Sequence, residues 1–362
     1  MSTSTTAAAA TVNAFNAGRL PRFAPWVVLG AALAVSYLVT ALIGSAKDPE
    51  SDFNIAAASF FGVLLYVVAI WSISRLVEGA RVALDRLVTA VVSLAFLVAL
   101  LPLISLVYTV IARGIGRIDL DFFTLSMRNI LGEGGGAAHA IVGTLQMTGV
   151  ATLISVPIGL LASIYLVEYG RGRLAQAITF LVDVMTGIPS IVAGLFAFAF
   201  FELILGPGTR VGLSGAIALT VLMVPVVVRS SEEILRLVPN ELREASFALG
   251  VPKWLTIVKV VIPTAIAGIT TGVMLSIARV IGETAPLLIA AGFSNNFNFS
   301  LTSDRMQSLP VFVYYSYVSQ GTDFQPYIDR AWAGALTLIA IVMILNLTAR
   351  LVARIFAPKY GR

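Results

Sequence analysis

The 362-residue chain is 58% hydrophobic and 12% charged with a mean hydropathy of +0.93, about half the usual charged fraction, which excludes a water-soluble domain and describes a polytopic membrane protein. With no cysteine and a single histidine, it offers no disulfide framework, no thiolate or histidine-based metal centre and no cysteine nucleophile. A net charge of +5 and a pI of about 9.6 would suggest nucleic acid for a soluble chain; here the Lys and Arg excess has a topological meaning, and no nucleic-acid partner is expected.

Residues 1–18 are Ala, Ser, Thr and Asn with little charge or bulk, so residues 1–24 are expected to form a disordered tail. Arg19 and Arg22 precede an apolar run at 25–44, about 20 residues and enough to cross a roughly 30 Å hydrocarbon core. Gly44-Ser45-Ala46 resembles a signal-peptide cleavage site, but the run exceeds an h-region of about 7–15 residues, so an uncleaved span is expected. A second run at 55–74 leads to the arginine-bearing segment 75–86, and a third covers 87–112. The polar segment 113–139 ends in GEGGGAAH. It fails as a phosphate cradle, since no Lys-Ser/Thr follows the glycines and no strand precedes them; it reads as a flexible connector, with His139 a lone loop histidine. Any ATP used must then be hydrolysed by another chain.

The fourth run, 140–167, contains Pro157 and ends at the basic loop EYGRGR; residues 174–186 then lie near an interface and feed a fifth run at 187–205. A sixth run covers 211–228, a charged stretch 229–263, a seventh run 264–292, a polar segment 293–330, and an eighth run 331–352 precedes a basic tail at 353–362. Pro157, Pro189, Pro225 and Pro286 interrupt spans and free backbone groups that neighbours or a cavity must satisfy. Eight spans put both termini and 229–263 on one side, which carries sixteen Lys and Arg against seven opposite, with Arg279 inside a span. The positive-inside rule makes the richer side cytoplasmic.

Within 229–263, Asn240 is a candidate N-cap, Gly250 a C′ stop and Pro252 a barrier to continuation, which predicts a short helix over 241–249, about 14 Å long. Leu242, Ala245, Ser246 and Leu249 share one face of it, while Glu241, Arg243 and Glu244 lie elsewhere. On these residues alone it is an amphipathic helix lying on something, either a membrane surface or a partner.

Glu244-Ala245-Ser246, then Gly250, then Val260-x-Ile262-Pro263 resembles the E-A-A loop, with its later G and I-x-L-P, of the membrane subunits of binding-protein-dependent ABC importers; the departures are Ser for Ala, Val for Ile and Ile for Leu. The resemblance implies a coupling helix, with Glu241, Glu244, Ala245, Ser246, Leu249 and Gly250 addressing an ATPase subunit. It spans about residues 140–352 and narrows further. Gly187-Ile188-Pro189-Ser190-Ile191-Val192-Ala193-Gly194 and Ala278-Arg279-Val280-Ile281-Gly282-Glu283-Thr284-Ala285-Pro286-Leu287-Leu288 resemble two segments of phosphate permeases, the second being PstA-type in its A-P-L-L ending. The fold implied by this resemblance is an all-α membrane protein of about eight spans, with a type I (MetI-like) permease core at 140–352 behind a third span and outer loop at 87–139, and two additional N-terminal spans within 25–86 that lie outside the common pattern. The function implied is phosphate import into the cell across the plasma membrane, with a PstC-type second permease, two PstB-type ATPase subunits that bind ATP-Mg, and a PstS-type binding protein; this chain itself carries no cofactor. Molybdate, sulfate or another oxyanion is the alternative substrate, and a membrane-embedded enzyme the alternative class.

Arg279 and Glu283 stand four residues apart in the seventh run, where a charge costs at least about 2.5–3.5 kcal/mol, so they are expected to face protein or an aqueous path and, at i,i+4, to pair with each other. A structural ion pair and a place on the phosphate path both fit the spacing; the resemblance favours the path. Arg229 at the end of the sixth run is a candidate for the inner mouth or a plain positive-inside anchor. Asp183 and Glu202 read as interfacial. In 293–330, Asn295, Asn296, Gln307, Tyr314, Tyr315 and Tyr317 suggest a wet docking surface for the binding protein, with Leu309-Pro310 starting a short helix.

Overall fold

The computed structural model describes residues 18, 20–47 and 54–356. Most of the expected N-terminal tail, the middle of the first loop and the last six residues lie outside the described residues. All regular structure among the described residues is helical. The chain divides into two compact units, residues 1–106 and 107–362.

The first unit holds α1 (Ala24–Lys47), α2 (Ile55–Val77) and most of α3 (Ala80–Gly114). Asn54 caps α2, its side chain accepting from the Ala57 amide at 2.9 Å. The α1–α2 pair closes on small residues: a Cβ at Gly62 would lie 2.8 Å from the Leu33 side chain, and Ser36 Oγ donates to the Ala58 carbonyl at 2.6 Å. Between α2 and α3, half-buried Glu78 accepts from Arg86 Nε and Nη2 at 2.6 and 2.8 Å, Ser74 Oγ at 2.7 Å and the Leu20 amide at 2.8 Å. The Arg86 guanidinium, helped by the other donors, outweighs burial and holds this carboxyl down to about 2.

The second unit contains α4 (Leu120–Thr124), α5 (Ala138–Ile164) extended by a π-helical turn at Tyr165–Tyr169, α6 (Arg173–Gly187), α7 (Ser190–Leu205) and α8 (Gly212–Arg236). There follow α9 (Asn240–Ala248), α10 (Lys253–Thr256), a second π-helical turn at Ile257–Val261, α11 (Ile262–Val280), α12 (Ala285–Ala290), α13 (Leu309–Val318) and α14 (Gln325–Phe356). Seven helical stretches are long and apolar enough to cross a membrane, and α6 with α7, bent by 107° between them, makes an eighth if the pair is one broken span. Pro189 accounts for the bend, since it forces Ile188 into an extended conformation (ψ 125°) and ends α6. Pro157 and Pro225, by contrast, sit inside continuous helices.

The core of this unit is α8, buried against α5 through Met147, Ala151, Ala216, Leu219, Met223 and Val227. Glycines set the approach: a Cβ at Gly159 would lie 2.6 Å from Val227, and one at Gly272 of α11 would lie 2.6 Å from Ser230 Oγ. Where lipid tails are as apolar as leucine, close contact between small residues holds helices together, and this is the packing seen.

The GEGGGAAH segment is packed rather than a flexible connector. Arg330 of α14, fully buried, donates from Nη1 to the carbonyls of Gly132 and Gly134 at 2.6 and 2.9 Å, and Arg117 Nη2 donates to Gly135 O at 2.7 Å. A Cβ at Gly136 would meet Asp121 O at 2.4 Å. The loop therefore turns carbonyls, not amides, toward its ligands, and those ligands are the chain's own cations. His139 is likewise no loop residue: it is the second residue of α5, 3% exposed and hydrogen-bonded to Gln307 at 2.9 Å.

Candidate coupling and translocation sites

The short helix predicted between spans six and seven is α9. Its C-terminus follows from sequence: Gly250 takes φ +76°, its amide donates to Phe247 O at 2.9 Å, and the Val251 amide donates to Ser246 O at 3.2 Å. That is the paired hydrogen bonding of a Schellman motif, which needs a left-handed residue at C′. The N-terminus differs from expectation. Pro239 is the N-cap and Asn240 the first helical residue, with no side-chain cap; Asn240 Oδ1 accepts from Arg243 Nη1 at 3.3 Å instead.

The apolar face is also corrected. Of Leu242, Ala245, Ser246 and Leu249, only Ser246 is buried and Leu242 half-buried, whereas Leu249 is 83% exposed. Ser246 forms a 2.8 Å hydroxyl pair with Thr256, tying α9 to α10. The serine that departs from the family's alanine is thus the one that fastens the helix. Glu241, Glu244, Ala245, Leu249 and Gly250 remain exposed, with Phe247, Trp254 and Leu237 at 44%, 62% and 76% adding apolar area.

An ion pair that no sequence pattern announces joins Arg243 to Glu168. Arg243 Nε and Nη2 donate to Glu168 Oε1 at 3.0 and 2.8 Å, with the side chains 12% and 6% exposed, and Arg243 also donates to the Leu235 and Val238 carbonyls. The signal available in the sequence is opposite charge on two loops assigned to one side; the pairing across 75 residues is set by the fold alone.

The expected Arg279–Glu283 pair does not form. Helix α11 ends at Val280 and α12 starts at Ala285, so the two residues flank a break and the helical i,i+4 relation is lost. Arg279 is exposed and Glu283 half-buried, and among the described residues neither side chain makes an ion pair or hydrogen bond. Arg279 stands roughly 26 Å along the helix from Ile262. Gly282, in the break, has open space around the position a Cβ would take. The two segments that carried the phosphate-permease resemblance meet here: a Cβ at Gly194 of α7 would lie 2.6 Å from Cα of Pro286 in α12.

Arg229 is inside α8, which runs on to Arg236, and its charge is answered: Nη2 is bonded to Asp183 of α6, Nη1 donates to Glu232 Oε2 at 2.9 Å, and Glu232 Oε1 accepts from Arg236 at 2.7 Å. This cluster ties the bent α6 to α8, so Asp183 is an ion-pair partner. Glu202 caps the following turn, accepting from the Gly208 amide at 2.8 Å. In 293–330, α13 starts at Leu309 with Pro310 in its first turn and Ser308 as N-cap. Gln307 is 2% exposed and so is withdrawn from any docking surface; Tyr315 is half-buried, its ring 4.2 Å from that of Phe293 between centroids, and Asn295, Asn296, Tyr314 and Tyr317 are exposed.

A family model described as "Binding-protein-dependent transport system inner membrane component" matches residues 155–362. The phosphate transport system permease protein PstA 1 of Mycobacterium tuberculosis (strain CDC 1551 / Oshkosh) is 48% identical over 261 residues, 71% of this chain and 84% of that protein. The phosphate transport system permease protein PstA of Pasteurella multocida (strain Pm70) is 41% identical over 279 residues, 77% of this chain and 96% of that protein. Among solved structures, an inward-facing MetNI methionine ABC transporter aligns over 60% of this chain and 94% of its own at 21% identity, with a TM-score of 0.48.

Proposed function

Since the chain belongs to the family of binding-protein-dependent transport system inner membrane components, we propose that it is the membrane-spanning permease of an ATP-driven importer of inorganic phosphate. The observation that carries the site is Arg279, an exposed guanidinium with no partner among the described residues, beside a break in a membrane-spanning helix. Lipid contact for such a group costs several kcal/mol, so it faces an aqueous path or a neighbouring subunit. A guanidinium presents a planar fork of donors suited to a tetrahedral oxyanion.

Glu283 lies on the other side of the break. As a carboxylate it accepts only, so it can take a hydrogen bond from the P–OH group of phosphate but repels sulfate, which has no such donor. Because Arg279 and Glu283 are not paired, the geometry supports selectivity over a gate in which Glu283 holds Arg279. Arg229, neutralised by Asp183 and Glu232, is assigned to bracing α6 against α8 in place of the inner mouth.

The exposed side of α9, with Glu241, Glu244, Ala245, Leu249 and Gly250, docks on an ATPase subunit, which binds ATP-Mg and supplies hydrolysis. The complex comprises a second permease, two ATPase subunits and an extracytoplasmic binding protein, with both termini of this chain and α9 on the cytoplasmic side, as the distribution of Lys and Arg supports. The test is uptake of labelled phosphate, sulfate and molybdate by proteoliposomes carrying the whole complex. Arg279→Gln abolishes phosphate uptake, and Glu283→Gln admits sulfate while ATP hydrolysis stays controlled. Uncoupled hydrolysis in Glu283→Gln would restore the gate; normal, selective phosphate uptake in both variants would remove the pair from the path.

A further inference from the structure

The docking helix α9 is joined by its flanking chain to α8 and to α10. A third connection, to α5, is made by the side chains of Arg243 and Lys253. Glu168 lies in the π-helical turn Tyr165–Tyr169 that ends α5, and it is grasped from both ends of the docking region. Arg243, within α9, places Nε and Nη2 on its carboxylate at 3.0 and 2.8 Å. Lys253, just past the Gly250 turn, donates its ammonium to the Glu168 carbonyl, and that ammonium lies 4.7 Å from the centroid of the Tyr169 ring. Arg243 also donates to Leu235 O at 3.1 Å and Val238 O at 2.5 Å, so one guanidinium joins the end of α5, the end of α8 and α9.

The geometry points to Glu168 as a positioning residue of energy coupling, the link through which movement of α9 is delivered to α5; this rests on the reading of α9 as the ATPase-docking helix. The carboxylate and guanidinium are 6% and 12% exposed, so their attraction is screened far less than that of a surface pair. A bifurcated grip with two further carbonyl contacts fixes orientation as well as distance. Both segments next to the brace are π-helical, Tyr165–Tyr169 at the end of α5 and Ile257–Val261 before α11. A π turn carries one residue more than an α turn, and such turns inside helices recur at functional sites. Displacing α9 as a unit therefore drives two such turns at once, one at the base of α5 and one at the base of α11, whose far end carries Arg279. Without the Glu168 carboxylate the first is held only by Lys253 through the Glu168 carbonyl, and its drive is weakened.

Glu168→Gln keeps size and removes charge. In proteoliposomes with the complete transporter, the variant is expected to retain its ATPase partner on purification and to hydrolyse ATP, while phosphate moved per ATP hydrolysed falls roughly tenfold. Arg243→Gln shows the same loss, and the double variant is no worse than Arg243→Gln within about twofold, because both act through one link. Loss of assembled complex with an unchanged phosphate-to-ATP ratio overturns the proposal, as does a double variant whose loss is the product of the two. A second measurement does not depend on phosphate being the substrate. The chain has no cysteine, so Arg171→Cys with Ala248→Cys gives a unique spin-label pair on exposed positions. With Glu168 present the label distance is unchanged by ATP, since the two segments move together; with Glu168→Gln it shifts or broadens. A distance indifferent to Glu168 overturns the brace, whereas failure of the unmodified complex to import phosphate strikes only the substrate reading.

Discussion

Replacing Gly250 isolates a backbone effect from a steric one. The residue sits at φ +76° and a Cβ built there has no heavy atom within 4 Å, so a β-carbon would not collide with Trp254 or with anything else among the described residues. What a side chain meets is the left-handed conformation itself, at about 1–2 kcal/mol for an ordinary L-residue, less for asparagine and more for a β-branched one. One to two kcal/mol corresponds to a factor of roughly 5–30 in the population of the correctly terminated helix. Misplacing that turn loosens the Gly250 and Val251 amides from Phe247 O and Ser246 O and re-aims the exposed Leu249 and Trp254. The expected order of phosphate uptake is Gly, then Asn, then Ala, then Val, at equal membrane abundance, with co-purified ATPase falling in the same order. Uptake by Gly250→Val equal to that of the unmodified protein, or Gly250→Asn as impaired as Gly250→Val, would refute the argument, the first by removing the backbone cost and the second by showing that any side chain is excluded.

Gly194→Ala is expected to impair uptake at least several-fold, because its Cβ would fall 2.6 Å from the Pro286 backbone, which cannot rotate away; Gly149→Ala, with open space around it, should be neutral in the same uptake assay. For Glu78 the folded carboxyl is held down to about 2 against an ordinary 4.5, so the stability it contributes is complete above about pH 4.5 and is lost as pH falls toward 2. Limited proteolysis of detergent-solubilised protein across that window should show residues 20–86 opening as pH falls, and Arg86→Gln should move the onset upward; an onset that ignores Arg86 would sink the assignment.

Most apolar runs were legible because length and hydropathy suffice to mark a span: the helices found as α1, α2, α3, α5, α8 and α14 each overlap a run read from sequence. Gly250 was legible as well, since few residues tolerate φ +76° and Pro252 forbids a longer helix. The register of α9's buried face was not, because Leu249 lies beside a turn that leaves the helix and the buried position is Ser246, through a hydroxyl contact created by Thr256. Nor was the burial of Gln307, His139 and the glycine segment. Polar letters read as solvent when their partners are far away in sequence, and Gln307 meets His139 across 168 residues while Arg330 meets Gly132 across 198.

The misplaced boundary in the seventh run has a physical cause. An unbroken apolar run predicts an unbroken helix, yet the seventh run is cut between Val280 and Ala285, whereas the bend of the α6–α7 pair between Gly187 and Ser190 falls where the sequence already separated 174–186 from the fifth run. Interrupting a helix within a bilayer frees backbone groups that lipid cannot satisfy, so such a break persists only where protein or water meets it. In this chain each break meets protein on one side: the short helix α12 leans on α7 at Gly194, and that contact joins the segments that follow the two interruptions. What the protein does not cover is the exposed Arg279 and Gly282. A cation left uncovered beside an uncovered backbone is costly against lipid and natural against water, which is the physical support for proposing that the two interruptions, and not the long continuous helices, line the path.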